Sequence, residues 1–323
     1  MDAPAAAGPC RICGHAADNR RHHVREMMFG LRDTFAYVEC AACGCLQIEA
    51  VPADLAPYYP RDYYAFRSHE EPPVRAFLKQ RRARHAMGRG DLVGALLATR
   101  FGPPPWLDWM RTSGAGLDDA ILDVGCGAGH LLRDMRRAGF TNLTGVDLYL
   151  PPGLAAPKGV RLLQQDLSGT TGTFRHILFN DSFEHLDDPE GTLHHVHRLL
   201  DPDGLALVRL PIAGTLAWRE YGTDWVQLDA PRHMFLHTPR SMHVLAERTG
   251  FEVAGVHWNS TAFQFWGSEQ YRHDIPLHDP RSYLHGARGS IFTPARIREF
   301  EARAAELNEQ GDGDSAAFYL RRR

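Results

Sequence analysis

Three groups of residues in this 323-residue chain have types and spacings that can do chemistry. The first is a pair of Cys-x-x-Cys-Gly turns, Cys10-Arg-Ile-Cys13-Gly14 and Cys40-Ala-Ala-Cys43-Gly44, with 26 residues between them. Each turn can bring two thiolates onto one ion, and two turns complete the closed tetrahedral four-cysteine shell of structural zinc. Such a shell leaves no open position for a substrate, so Cys10, Cys13, Cys40 and Cys43 are expected to build rather than to catalyse. The second group is Gly125, Gly127 and Gly129, spaced G-x-G-x-G after the apolar run Ala120 to Val124. The third is a pair among the eighteen histidines, His185 and His233, each in a segment that follows a predicted strand or precedes a predicted helix. Imidazole is half-titrated near neutrality and suits proton transfer.

These groups need elements to position them. The run ending at Val124 has strand length, and Leu131, Leu132, Met135 and Ala138 recur at helical steps after the glycines. Strand, glycine turn and helix make the first crossover of a nucleotide-binding parallel sheet. The dinucleotide fingerprint needs its third glycine where His130 stands, so the spacing departs from that pattern. A second strand, 142–146, ends in Asp147, where a carboxylate can accept both ribose hydroxyls of a nucleoside. A third strand, 160–164, precedes Asp166 and Leu167, and a fourth, 176–179, runs into Asn180; Asp166 can equally be a loop cap. A helix over 191–200, a fifth strand over 205–210 and a sixth over 251–258 complete the alternation. Thr238 and Pro239 have the types of an N-cap and a first helical residue for a helix over 240–249. The fold class is therefore α/β, a doubly wound, Rossmann-like sheet with a small N-terminal zinc ribbon. The expected divisions are a ribbon over 1–64, a helical linker or cap over 65–118 with two helices and a connector over 72–113, and the sheet domain over 119–323 with an insertion at about 260–312.

Composition narrows the partners. A net charge of −3 gives no electrostatic footprint for nucleic acid or an anionic surface. No apolar run is long enough to span a bilayer, and Met1 to Gly14 lacks the layout of a signal peptide. Five of the six cysteines fall in the first 45 residues, a clustering that favours metal over disulfides in a reducing compartment. A cytoplasmic protein with a small-molecule partner and no membrane is the expectation; the oligomeric state is open.

Asp123-x-Gly125-x-Gly127-x-Gly129 resembles the first motif of class I S-adenosylmethionine-dependent methyltransferases. The cysteine turns, the aromatic stretch containing Tyr58, Tyr59, Tyr63 and Tyr64, and Glu184-His-Leu-Asp-Asp-Pro189 look like the branch of that family acting on sugars and other small metabolites. The resemblance implies a seven-stranded sheet with its last strand, here 316–320, inserted between the fifth and sixth. It implies a cofactor site of Asp123, Gly125, Gly127, Gly129, Asp147, Leu148, Asp166, Leu167 and Asn180. It also implies methyl transfer to a hydroxyl or activated carbon, with His185 or His233 as base or as a structural group; Arg232 stands where the similar sugar enzymes carry glutamate. Asn180-Asp-Ser-Phe183 lacks the prolines of enzymes that methylate exocyclic base amines. The rival readings are an RNA methyltransferase gripping its substrate with the ribbon, and a non-catalytic interaction protein.

Overall fold

A computed structural model describes residues 8–60, 66, 72–151 and 153–323. Tyr63 and Tyr64 lie outside the described residues. In chain order come β1 (Arg20–Arg25), β2 (Thr34–Glu39) and β3 (Leu46–Ile48), then α1 (Pro73–Ala86), α2 (Leu92–Phe101) and α3 (Pro105–Thr112). The alternating part follows as β4 (Ile121–Val124), α4 (His130–Ala138), β5 (Leu143–Val146), β6 (Arg161–Leu163), β7 (Phe174–Asn180), α5 (Pro189–Leu199) and β8 (Leu200–Pro211). The chain ends through α6 (Leu216–Tyr221), β9 (Phe235–Leu236), α7 (Pro239–Arg248), β10 (Phe251–Trp258), α8 (Phe263–Arg272), α9 (Pro294–Gln310) and β11 (Ser315–Arg322).

One sheet has seven strands in the order β10-β11-β8-β7-β4-β5-β6. The last strand of the chain lies between β8 and β10, as the resemblance implies. β4 pairs in parallel with β5 and with β7, and β5 with β6. Every residue of β4 and β5 is buried, the pattern of a parallel strand covered on both faces. The second sheet is small, in the order β1-β2-β3-β9, and antiparallel at each pairing.

By contact the chain divides into two compact units. One holds residues 1–60, 181–190 and 209–318, and the other holds 61–180, 191–208 and 319–323. The ribbon, expected over 1–64, is thus grouped with later parts of the chain. Within that first unit Leu46 of β3 pairs with Leu236 of β9, and the Thr238 hydroxyl donates to the Cys43 carbonyl at 2.6 Å. Arg248 of α7 donates to the Ile12 carbonyl. Thr238 also caps α7: its hydroxyl accepts from Ser241 N–H while the Ser241 hydroxyl accepts from Thr238 N–H, and Pro239 fills the first helical position.

The second unit corrects one expectation. Residues 72–113 form three helices rather than two and a connector: besides the expected break at Gly102 to Pro105, the chain turns after Ala86, with φ of 71° at Gly88, and Asp91 caps α2 by accepting Gly94 N–H. In the insertion, Phe265 and Tyr271 of α8 are buried and Phe265 stacks on Phe300 of α9 at 5.3 Å. These aromatics are core.

Candidate active site

The second unit holds the glycine turn. Gly125, Gly127 and Gly129 all have positive φ, at 72°, 50° and 71°, a backbone that side-chain-bearing residues rarely adopt. The turn delivers the chain from the buried end of β4 straight into α4, whose Leu132, Met135 and Ala138 face the core. A Cβ at Gly145 of β5 would lie 2.6 Å from Cys126 Sγ, so Cys126 is packed against that glycine. The Asp147 carboxylate closes the turn from the end of β5: Oδ2 accepts Gly127 N–H at 3.0 Å and Oδ1 accepts Tyr149 N–H at 2.8 Å. Next to it Leu148 and Tyr149 are 53% and 75% exposed, apolar surface standing at the edge of the turn. Asp123, buried on β4, has its carboxyl pushed up to about 7 by burial first and by the charge of Asp147 second.

The remaining residues expected around a cofactor are less uniform. Asn180 is half-buried at the end of β7 and Leu167 is buried. Asp166 turns back on its own loop, Oδ1 accepting from the Ser168 hydroxyl at 2.7 Å and Gly169 N–H at 3.0 Å. Those bonds hold its carboxyl below the usual range. The loop-capping alternative is thereby seen directly for Asp166.

The first unit brings His185 and His233 together. Phe183 to His185 form a short 3-10 turn after Asp181, whose carboxylate pairs with Arg209. Met234 N–H donates to the Glu184 carbonyl at 2.7 Å, which ties this turn to the segment that carries His233. The two imidazole rings meet edge-on with centroids 4.8 Å apart. His185 Nδ1 lies 2.9 Å from the Arg232 carbonyl and His233 Nδ1 lies 2.8 Å from the Gln227 carbonyl. A carbonyl only accepts, so both Nδ1 atoms carry the proton and both Nε2 atoms keep a free lone pair. Burial pushes His185 down and, together with His185, pushes His233 down to about 3, so both rings are neutral at neutral pH. Tyr59 places its hydroxyl 3.4 Å from His185 Nδ1, and Tyr37 donates to the His233 carbonyl at 2.7 Å.

Glu184 completes the group. Its side chain is 1% exposed, neither carboxylate oxygen has a hydrogen-bond partner among the described residues, and Oε1 lies 3.9 Å from His233 Nε2. Burial raises its carboxyl well above the usual range, with Asp181 adding to the effect. Arg232 pairs with Asp229 and Glu26. Asp229, with left-handed φ of 38°, was not singled out in the sequence, where nothing but its spacing from Arg232 and His233 hints at a role.

The four turn cysteines also converge within the first unit. Cys10 and Cys43 sulfurs are 3.6 Å apart, Cys13 and Cys40 sulfurs 3.5 Å, and all four ligand atoms lie within 4.8 Å of one another. Zinc–sulfur bonds of about 2.3 Å in a tetrahedron separate sulfurs by about 3.8 Å, so this donor set fits that ion. Gly14 and Gly44 carry φ of 77° and 73°, which turns the backbone beneath the sulfurs. Cys45 is buried beside them with its thiol directed to the Leu46 carbonyl.

Comparison with known proteins follows this geometry. The chain is 28% identical over 183 residues to ubiquinone biosynthesis O-methyltransferase of Aeromonas salmonicida, covering 50% of this chain and 76% of that protein. It is 30% identical over 126 residues to the protein so named in Erwinia tasmaniensis, covering 35% of this chain and 51% of that one. Among solved structures it is similar to the 1,6-didemethyltoxoflavin-N1-methyltransferase of Burkholderia thailandensis, at 16% identity and a TM-score of 0.42, covering 87% of this chain and 96% of that one. A family described as a methyltransferase domain matches residues 79–256, more than half of the chain, which therefore belongs to the methyltransferase-domain family.

Proposed function

We propose that this protein transfers a methyl group from S-adenosylmethionine to a hydroxyl or an activated carbon of a small molecule, a sugar or natural-product intermediate by class. The observation that carries the reading is the turn of three left-handed glycines bridged by Asp147. In this reading Gly125, Gly127 and Gly129 let the ligand approach bare backbone. Asp147 trades its bonds to Gly127 and Tyr149 for the ribose hydroxyls, and Leu148 lies along the adenine. Asp123, Asp166, Leu167 and Asn180 line the remainder. Bound S-adenosylmethionine supplies a methyl already activated on a sulfonium.

The chain's own task is then to orient the acceptor and to remove one proton. His185 and His233 are neutral at neutral pH, so each Nε2 can accept that proton. The cysteine cluster holds structural zinc and braces the first unit without touching the reaction. No described helix is long and apolar enough to cross a membrane, and we place the enzyme in the cytoplasm.

The test is methyl transfer from isotopically labelled S-adenosylmethionine to a panel of small hydroxyl and enolisable acceptors. The reading expects product with at least one acceptor, and a fall of about 10²-fold or more in kcat when the responsible histidine becomes asparagine. Full activity in both His185→Asn and His233→Asn would remove the assigned base.

A further inference from the structure

We propose that Glu184, His185 and His233 form a binding site for one divalent transition cation, distinct from the four-cysteine cluster. The three side chains offer ligand atoms that all lie within 4.8 Å of one another. Among the described residues the three side chains offer acceptors to one another. Each imidazole spends its Nδ1 proton on a backbone carbonyl, at 2.9 Å for His185 and 2.8 Å for His233, which leaves Nε2 lone pairs. Both oxygens of Glu184, in a side chain almost wholly buried, have no hydrogen-bond partner among the described residues. The neighbouring His233 Nε2 is 3.9 Å away, beyond hydrogen-bond distance for a proton on Glu184. Acceptors that converge with no donor among the described residues are a set a cation would complete.

The arrangement has the further feature that metal-binding histidines require. A ligating imidazole donates its other N–H to a carbonyl or carboxylate, which fixes the tautomer and aims the ring. Here the Arg232 and Gln227 carbonyls do so from the segment that also carries His233. Two neutral imidazoles and one carboxylate form a nitrogen–oxygen set suited to zinc, cobalt or iron(II), with bonds of about 2.0–2.2 Å and positions left over for other ligands. The cysteine set is closed and soft; this one is open and harder. The inference rests on the methyl-transfer reading only for its consequence. A cation held here would bind an acceptor's oxygen and lower its pKa; the role of the Nε2 atoms in proton removal belongs to the metal-free site.

The experiment uses full-length protein already loaded with zinc at the cysteines, titrated with Co2+. Binding is followed by visible absorption and by metal analysis after gel filtration. We expect one cobalt per chain without a thiolate-to-cobalt charge-transfer band. Affinity should fall about tenfold or more in Glu184→Gln and in His233→Asn. Zinc content and the melting shift given by S-adenosylmethionine serve as controls, so that loss of cofactor binding is read separately from loss of cobalt binding. His185→Asn stands in if either variant fails to fold. Absence of a second metal at millimolar Co2+, or equal affinity in wild type and the folded variants, would overturn the proposal.

Discussion

Arg232 and Glu26, 206 residues apart in sequence, form an ion pair at 2.8 Å with both side chains fully buried. Glu26 also accepts the N–H groups of Phe29 and Leu31, and Arg232 reaches the Tyr58 carbonyl. Arg232 is thus a brace between the end of the ribbon strands and the histidine segment. Losing Glu26 leaves Arg232 with Asp229 alone of its two carboxylate partners and takes the acceptor from the Phe29 and Leu31 N–H groups, at a cost of about 3–5 kcal/mol. Glu26→Ala should lose that much in urea unfolding. A loss under about 1 kcal/mol would show that the pair does not brace the unit.

The cysteine cluster makes a second prediction. Chelating the metal, or changing Cys43 to serine, should lower the melting temperature and expose α7 to proteolysis, because Thr238 and Arg248 hang from the carbonyls of Cys43 and Ile12. Metal analysis should find one zinc per chain bound through these cysteines. A melting temperature indifferent to chelation would contradict the assignment.

A third concerns pH. Asp314 is buried, accepts Trp225 Nε1–H at 2.9 Å, and is pushed up to about 6 by that burial. Its folded pKa exceeds the unfolded value of about 3.9, so the folded state holds the extra proton between the two. Stability from this group is therefore full below about pH 4 and is lost as pH rises through 6, by on the order of 2–3 kcal/mol. Asp314→Asn should flatten that part of the stability profile while keeping an acceptor for Trp225. A wild-type profile that runs parallel to the variant's between about pH 4 and 6 would contradict the shift.

Much of the fold is legible where local chemistry decides the outcome. The α7 cap at Thr238-Pro239 and the alternating strand 251–258 need only neighbours in sequence, and both are found as expected. The glycine turn is legible for the same reason. β9 is not, because two residues carry no period and become a strand only by pairing with β3. β8 starts at Leu200, ahead of its expected beginning, since Asp201-Pro-Asp-Gly204 reads as a turn yet lies within the strand. The two histidines could be named from their segments, but the buried, partnerless state of Glu184 depends on residues far along the chain, His233 among them, and has no local signature.

Binding of S-adenosylmethionine tests the central claim most directly. Thermal unfolding of zinc-loaded protein would be followed with S-adenosylmethionine, its demethylated product, NAD and NADP. A ligand at about 100 times its dissociation constant adds about 2.7 kcal/mol, a melting shift of roughly 5–10 °C for a chain of this size. The account predicts that shift with the methyl donor and its product alone, and its loss in Asp147→Ala. No shift with either, or an equal shift in Asp147→Ala, would contradict the cofactor site built on the glycine turn.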